Sequence, residues 1–87
     1  MKITITGDDI KNGVQRNWNR CPIALALKRI GFNVRVGNTT IVEHTQNSRV
    51  SISHTTTPEA QKFIEAFDDN ELVQPVELEV WKDAEMH

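Results

Sequence analysis

Cys21 is the one cysteine of the chain, and it directly precedes a segment predicted to be helical. A thiol at a helix N-terminus can have a lowered pKa and act as a nucleophile, and Arg16 and Arg20 lie close in sequence. A nucleophile also needs a base, but His44 and His54 have no spacing that links them to Cys21. The position of Cys21 before a helix makes a thiol enzyme one hypothesis, although no base is linked to it. The alternative interpretation is a small buried group where the helix enters the core.

The other chemistry-bearing side chains do not predict a metal or cofactor site. Structural zinc sites usually have paired ligands at short spacing, and Cys21, His44 and His54 have none. Neighbouring acids point in different directions, so we expect Asp8-Asp9 to serve a turn and Asp68-Asp69 a helix end. The glycines are scattered through the chain, so no phosphate-binding loop is predicted. We expect no cofactor, no metal and no catalytic residues.

Charge is distributed unevenly along a chain whose net charge is −2. Residues 1–42 carry seven bases and two acids, a balance of +5, whereas residues 43–87 carry three bases and ten acids, a balance of −7. This split predicts an electrostatic dipole if the two halves occupy different faces. The alternative is that the two halves neutralise each other across the fold.

The basic half suggests a nucleic-acid-binding or nucleotide-binding module as an alternative function. Such surfaces combine bases with aromatic rings on which nucleobases stack, and Trp18 is available for stacking. The basic residues of this hypothesis are Lys11, Arg16, Arg20, Lys28, Arg29 and Arg35. Nucleic-acid-binding domains are usually basic, so the net negative charge of the whole chain argues against this function.

A protein partner is the other possibility, because Trp and Arg are enriched at interface hot spots. Trp18 and Trp81 are the candidate anchors, with Arg16 and Arg20 beside the first. The acidic half could instead imitate nucleic acid and present carboxylates to a basic groove. Its acids are Asp68, Asp69, Glu71, Glu77 and Glu79. Trp81 is expected opposite the apolar face of its strand, exposed or covering a sheet edge, and a homodimer through that face is a further alternative.

The length of 87 residues predicts a single domain, residues 1–87, with a frayed tail at 82–87. One cysteine is typical of a reducing compartment, so we expect a cytoplasmic protein. The alternating N-terminus does not resemble a signal peptide, and no apolar run reaches the 18 or so residues of a membrane span.

Alternation of apolar and polar residues predicts five strands. They cover residues 2–6, 32–36, 40–44, 49–54 and 76–80. In the fourth strand we expect Val50 and Ile52 to face inward and Ser51 and Ser53 outward. The three middle strands are joined by short turns, which predicts a meander.

Two helices are predicted between these strands. The first begins at Pro22 and ends before Gly31, and the second has Thr57 as N-cap and Asn70 as left-handed cap. Residues 8–13 are expected to form one turn at most, and residues 14–20 a loop. The order β-α-β-β-β-α-β predicts a two-layer α+β domain, with one mostly antiparallel sheet and two helices on one face. The first and last strands must join the meander at an edge or pair with each other.

Three stretches carry a family resemblance. They are Asp9-Ile10-x-x-Gly13, Arg20-Cys21-Pro22-Ile23-Ala24-Leu25-Ala26-Leu27, and Pro58-Glu59-Ala60-Gln61-x-Phe63-Ile64-x-Ala66-Phe67-Asp68 followed by a strand at Pro75. In this order they resemble small proteins of unassigned function encoded by bacteriophages and prophages. Many members carry Cys-x-x-Cys-Pro before the first helix. Here Trp18 stands at the first cysteine position, so we expect no metal or dithiol role.

The resemblance implies an accessory phage protein in a bacterial host cell. Small phage proteins of this size often bind and block a host machine, and inhibitors of bacterial defence, such as anti-CRISPR proteins, are the first class to consider. The leading hypothesis is therefore a non-catalytic protein that inhibits a host factor.

Overall fold

The computed structural model describes residues 1–44 and 51–82. Within these ranges it contains three helices and five strands. In chain order they are β1 (Lys2–Ile5), α1 (Gly7–Asn12), α2 (Pro22–Arg29), β2 (Val34–Val36), β3 (Thr40–His44), β4 (Ser51–Thr55), α3 (Pro58–Asp68) and β5 (Val76–Glu79). All strand pairs are antiparallel, so the α+β prediction is confirmed. No helix in the described ranges is long and apolar enough to cross a membrane.

The strands form two sheets, not the single sheet that was predicted. β2, β3 and β4 form the expected meander, and β1 pairs with β5. The first and last strands thus pair with each other, the second of the two predicted alternatives. The sheets meet at a bridge between Thr56 and Trp81, where the Thr57 N–H donates to the Val80 carbonyl at 3.0 Å. Pairing ends there because the next residues turn into α3.

α1 is longer than the single turn predicted for this segment. Thr6 and Asp9 form a capping box: the Asp9 N–H donates to Thr6 Oγ1 at 3.2 Å, and the Thr6 N–H donates to Asp9 Oδ2 at 2.9 Å. This reciprocal pair satisfies two backbone donors that would otherwise be unpaired at the helix start. The cap explains why so short and polar a segment forms a helix.

The predicted left-handed caps are confirmed at both longer helices. Gly31 has φ +104, and Asn70 has φ 62. After α2, the Phe32 N–H donates to the Leu27 carbonyl at 3.0 Å, which is the outer hydrogen bond of a Schellman motif. Because Phe32 belongs to this cap, β2 begins at Val34, two residues later than predicted.

The core lies between the helices and the two sheets. α2 packs on β1 and β2, and α3 packs on β5. Two residues that were expected to face inward are partly open: Ile52 is 43% exposed, and Val76 is 41% exposed. In the described part of the chain, both lie on strands at an edge of their sheet. Arg49, Val50 and residues 83–87 lie outside the described residues.

Trp81 is buried, so the first of the two predicted alternatives, an exposed Trp81, is wrong. It is 3% exposed and stacks on His54, with ring centroids 4.0 Å apart and planes 10° apart. Its ring also meets Phe32 edge-to-face at 5.8 Å. The bridge at Thr56 places Trp81 between the sheets, so an outward Trp81 provides no basis for a homodimer.

Candidate binding surface around Trp18

Trp18 is 47% exposed and lies in the segment between α1 and α2. This segment is held by its own hydrogen bonds. The Cys21 N–H donates to the Asn17 carbonyl at 3.0 Å, and Asn17 Oδ1 accepts the N–H groups of Asn19 and Arg20 at 2.9 and 3.1 Å. The exposed indole is therefore presented by an ordered segment.

The same segment is attached to the end of α3. Arg16 has φ 56, and its N–H donates to Asp68 Oδ1 at 2.8 Å. Gln15 Nε2 donates to the Phe67 carbonyl at 3.0 Å and to Asn70 Oδ1 at 3.1 Å. These bonds join residues more than fifty positions apart in the chain, and they place Arg16 beside the C-terminus of α3.

On its other side the segment is attached to β2. The Trp18 carbonyl accepts the Val36 N–H at 2.8 Å. This bond pairs a backbone donor on the outer edge of β2. The Arg35 guanidinium lies 4.4 Å from the centroid of the Trp18 ring. A cation at this distance over an indole is attracted by the ring quadrupole. The Trp18 ring is thus held in position from β2.

A small cavity of about 150 Å³ opens beside Trp18. Its lining residues are Arg16, Asn17, Trp18, Cys21, Val36, Asn38, Ile64 and Asp68. We call Arg16, Trp18, Arg35 and Asn38 the Trp18 surface. Asn38 was not among the predicted site residues, because it lies in the turn between β2 and β3, twenty positions after Trp18, and only the folded chain brings the two together.

Cys21 forms the base of this cavity and is 5% exposed. Burial raises the pKa of the Cys21 thiol, and the nearby Asp68 carboxylate raises it further. Sγ accepts the Ala24 N–H at 3.4 Å, so Cys21 is the N-cap of α2. A buried thiol with a raised pKa suits this structural role and is a poor nucleophile.

In the described residues, neither candidate base, His44 or His54, has a hydrogen bond or ion pair with the Cys21 thiol. His54 Nε2 lies 3.2 Å from Glu43 Oε1, and His44 Nδ1 lies 3.2 Å from Ser51 Oγ. Across residues 1–44 and 51–82, no group of three or more His, Cys, Asp or Glu side chains is arranged to hold a metal ion.

Half of the six predicted nucleic-acid-binding bases are engaged within the fold. Lys28 Nζ donates to the Asn19 carbonyl at 2.7 Å, and Arg29 Nη1 donates to Asp9 Oδ1 at 2.6 Å. Arg35 lies over the Trp18 ring. The side chains of the other three bases have no hydrogen bond or ion pair in the described part of the chain. They are Lys11, Arg16 and Arg20.

The predicted acidic contact residues are split between different places. Asp68 lies beside the Trp18 surface, and Asp69 is the exposed C-cap of α3. Glu77 and Glu79 lie on β5, opposite Thr4 and Lys2 of β1. The acids therefore do not form one carboxylate surface with Asp68.

Comparisons of the chain with protein-family models, with curated proteins and with solved structures find no match. The resemblance to bacteriophage proteins stays a prediction from the sequence.

Proposed function

We propose that this protein acts by non-catalytic binding and engages a protein partner through the Trp18 surface. The observation that carries the proposal is the exposed indole of Trp18, which lies under the Arg35 guanidinium while the Trp18 carbonyl accepts the Val36 N–H. Trp and Arg anchors that are ordered before binding lose little side-chain entropy when they are buried.

Several features favour a protein over a nucleic acid at this surface. Arg35 already interacts with the Trp18 ring, and the Asp68 carboxylate in the cavity wall would repel phosphate. Lys28 is bonded to a backbone carbonyl. A partner with both polar and apolar groups matches this mixed surface better than a phosphate backbone does.

The resemblance to bacteriophage proteins leads us to propose that the partner is a bacterial host protein. Binding would inhibit that protein, and a component of antiviral defence such as a CRISPR complex is the first class to test. Nucleic-acid binding by the basic half is the alternative outcome of the same experiment.

The experiment is affinity capture from bacterial lysate with the tagged protein, with and without nuclease. The proposal expects a protein that is retained after nuclease treatment and lost with Trp18→Ala and with Arg35→Ala. Ile30→Ser is the matched control, because Ile30 is 52% exposed and lies at the far end of α2. Material that is lost after nuclease or at raised salt would instead support the nucleic-acid alternative.

A further inference from the structure

A second surface lies between α3 and the segment 71–78. It consists of two adjoining cavities, of about 320 and about 460 Å³, that share Val73 in their walls. The lining residues of the first are Ile10, Gln15, Phe67, Asn70, Glu71, Leu72 and Val73. Those of the second are Glu59, Lys62, Phe63, Ala66, Val73, Gln74, Pro75, Val76, Glu77 and Leu78. We call the pair the α3 groove.

The floor of the α3 groove is apolar. Phe63 and Phe67 are each 9% exposed, and Leu78 is 6% exposed. On its margin Leu72 is 90% exposed, and Val76 is 41% exposed. Leu72 is the most exposed large apolar side chain in the described residues, and exposed apolar groups beside an apolar groove are typical of an interaction site.

The rim of the α3 groove is acidic. Glu59, Glu71 and Glu77 line it, and Lys62 is the only base among its lining residues. Their combined charge of −2 favours a positively charged partner. A second copy of this chain is disfavoured, because a two-fold symmetric contact would bring one acidic rim against another.

The second cavity of the α3 groove and the Trp18 surface lie on opposite sides of α3. Successive helical residues are rotated by about 100°, so Glu59, Phe63 and Ala66 project on one side of the helix, and Ile64 and Asp68 on the other. A molecule bound in the second cavity would therefore not compete directly with one bound at Trp18, whereas the first cavity extends to Gln15, the chain neighbour of Arg16.

The outer edge of β5 is already occupied at Glu79. The Glu79 N–H donates to Glu59 Oε1 at 2.7 Å, and the Thr57 hydroxyl donates to the Glu79 carbonyl. An added strand would have to displace these two bonds, so we expect a ligand that is held mainly by its side chains and not by a backbone ladder. Amphipathic helices bind grooves in this way, through apolar side chains on one face.

We propose that the α3 groove binds a basic amphipathic helix of a partner protein. The apolar face of that helix would cover Phe63, Phe67 and Leu72, and its Lys or Arg side chains would face Glu71 and Glu77. This site is independent of the proposed function at Trp18.

The test uses two labelled helical peptides of equal length, one of leucine and lysine and one of leucine and glutamate. Fluorescence anisotropy with the full chain is expected to detect binding of the leucine–lysine peptide only. In ¹H–¹⁵N correlation spectra, the shifted amides should lie in residues 59–78. The Trp18 indole signal should stay unchanged, and Trp18→Ala should bind as the parent does.

Variants locate the contact. Leu72→Ser should weaken binding about tenfold, the size expected for one buried leucine side chain, and the fold should survive because Leu72 is exposed. The double variant Glu71→Lys/Glu77→Lys should bind the leucine–lysine peptide more weakly than the parent does, and it should bind the leucine–glutamate peptide. Glu65→Lys, an exposed acid of α3 that does not line the groove, is the matched control and should bind as the parent does.

Four results would overturn the proposal: no binding, equal affinity for both peptides, shifts centred on the Trp18 surface, or unchanged affinity in Leu72→Ser. Shifts of the groove amides with protein concentration alone would assign the groove to a second copy and would also overturn it.

Discussion

Arg29 at the end of α2 holds the carboxylate of Asp9 in α1, with 2.6 Å between Nη1 and Oδ1. Its Nη2 also donates to the Thr4 carbonyl of β1 at 2.9 Å. Asp9 is 6% exposed and is also part of the capping box of α1. One carboxylate thus stabilises the start of α1 and, through Arg29, connects α1, α2 and β1.

This arrangement predicts an acid-dependent loss of stability. Burial alone would raise the pKa of Asp9, but the hydrogen bonds from Arg29 and Thr6 and the charge of Arg29 outweigh burial and hold the pKa below its usual value. A carboxyl whose pKa is lowered by folding stabilises the fold above the pKa of the unfolded chain. This contribution is lost as the pH falls through the folded-state pKa.

We therefore expect Asp9→Asn to lower the free energy of unfolding by about 1–2 kcal/mol at pH 7. The difference in the free energy of unfolding between the variant and the parent should become smaller below about pH 4. Urea unfolding at neutral and acidic pH measures this free energy. Asp8→Asn, an exposed neighbour, is the control and should change stability by less than about 0.5 kcal/mol. A difference that stays constant with pH would contradict the assigned role of Asp9.

The two tryptophans should behave in opposite ways when removed. Trp81→Ala should cost about 3–5 kcal/mol, because it empties the space between the two sheets and removes the stack on His54. Trp18→Ala should cost less than about 1.5 kcal/mol, because the ring is half exposed and its segment is held through backbone groups. Urea unfolding of both variants measures the contrast.

Fluorescence gives an independent check, since the chain has two tryptophans and no tyrosine. Acrylamide should quench Trp18 strongly in Trp81→Phe, and quench Trp81 weakly in Trp18→Phe. Equal quenching in the two variants would show that the assigned burial is wrong.

Cys21 should react slowly in the folded protein. Its raised pKa leaves less thiolate near neutral pH, and burial limits access. Iodoacetamide at pH 7.5 should alkylate the folded chain at least about tenfold more slowly than the chain in concentrated urea. Rapid alkylation of the folded chain would restore the thiol-enzyme hypothesis.

Cys21→Ser completes that test. Serine is a favourable N-cap, so the free energy of unfolding should change by no more than about 1 kcal/mol. Partner capture through Trp18 should be unchanged. Loss of capture with an intact fold would show that the thiol contributes to function.

Gly13 and Gly31 should differ in what an added methyl group costs. At Gly31, φ is +104, and apart from its chain neighbours no atom of residues 1–44 and 51–82 lies within 4 Å of the added carbon, so Gly31→Ala should cost about 1 kcal/mol from backbone strain. At Gly13, the added carbon would lie 2.8 Å from Pro22 Cγ and 2.9 Å from the Asp9 carbonyl oxygen.

Gly13→Ala must therefore separate α1 from the start of α2, and we expect it to cost about 2 kcal/mol or more. Thermal unfolding of both variants compares them. A smaller effect at Gly13 than at Gly31 would show that the junction between α1 and α2 relaxes easily.

Most of the secondary structure could be predicted from the sequence, because its signals are local. Pro22 and Gly31 bracket α2, and Thr57 and Asn70 bracket α3, as the structure confirms. Each signal depends on residues within a few positions of one another. The exception is α1: Thr6 and Asp9 of its capping box are present in the sequence, but the shortness and polarity of the segment predicted one turn at most.

Sheet pairing and exposure depended on long-range contacts. The sequence left open whether β1 pairs with β5, and it left open whether Trp81 is exposed or covers a sheet edge. The structure buries Trp81 because a bridge to Thr56 joins two strands from distant parts of the chain. Alternation along one strand says which residues share a face, but not what covers that face.

The sequence by itself determined the fold class, the helix caps, the residue types available for binding and the uneven distribution of charge. Only the tertiary structure decided that Trp18 is the exposed tryptophan, that Arg35 lies over its ring, and that Asp68 joins Arg16 across 52 positions. The physical reason is range: caps and alternation act between near neighbours, whereas a binding surface is assembled by packing between segments that are distant in the chain.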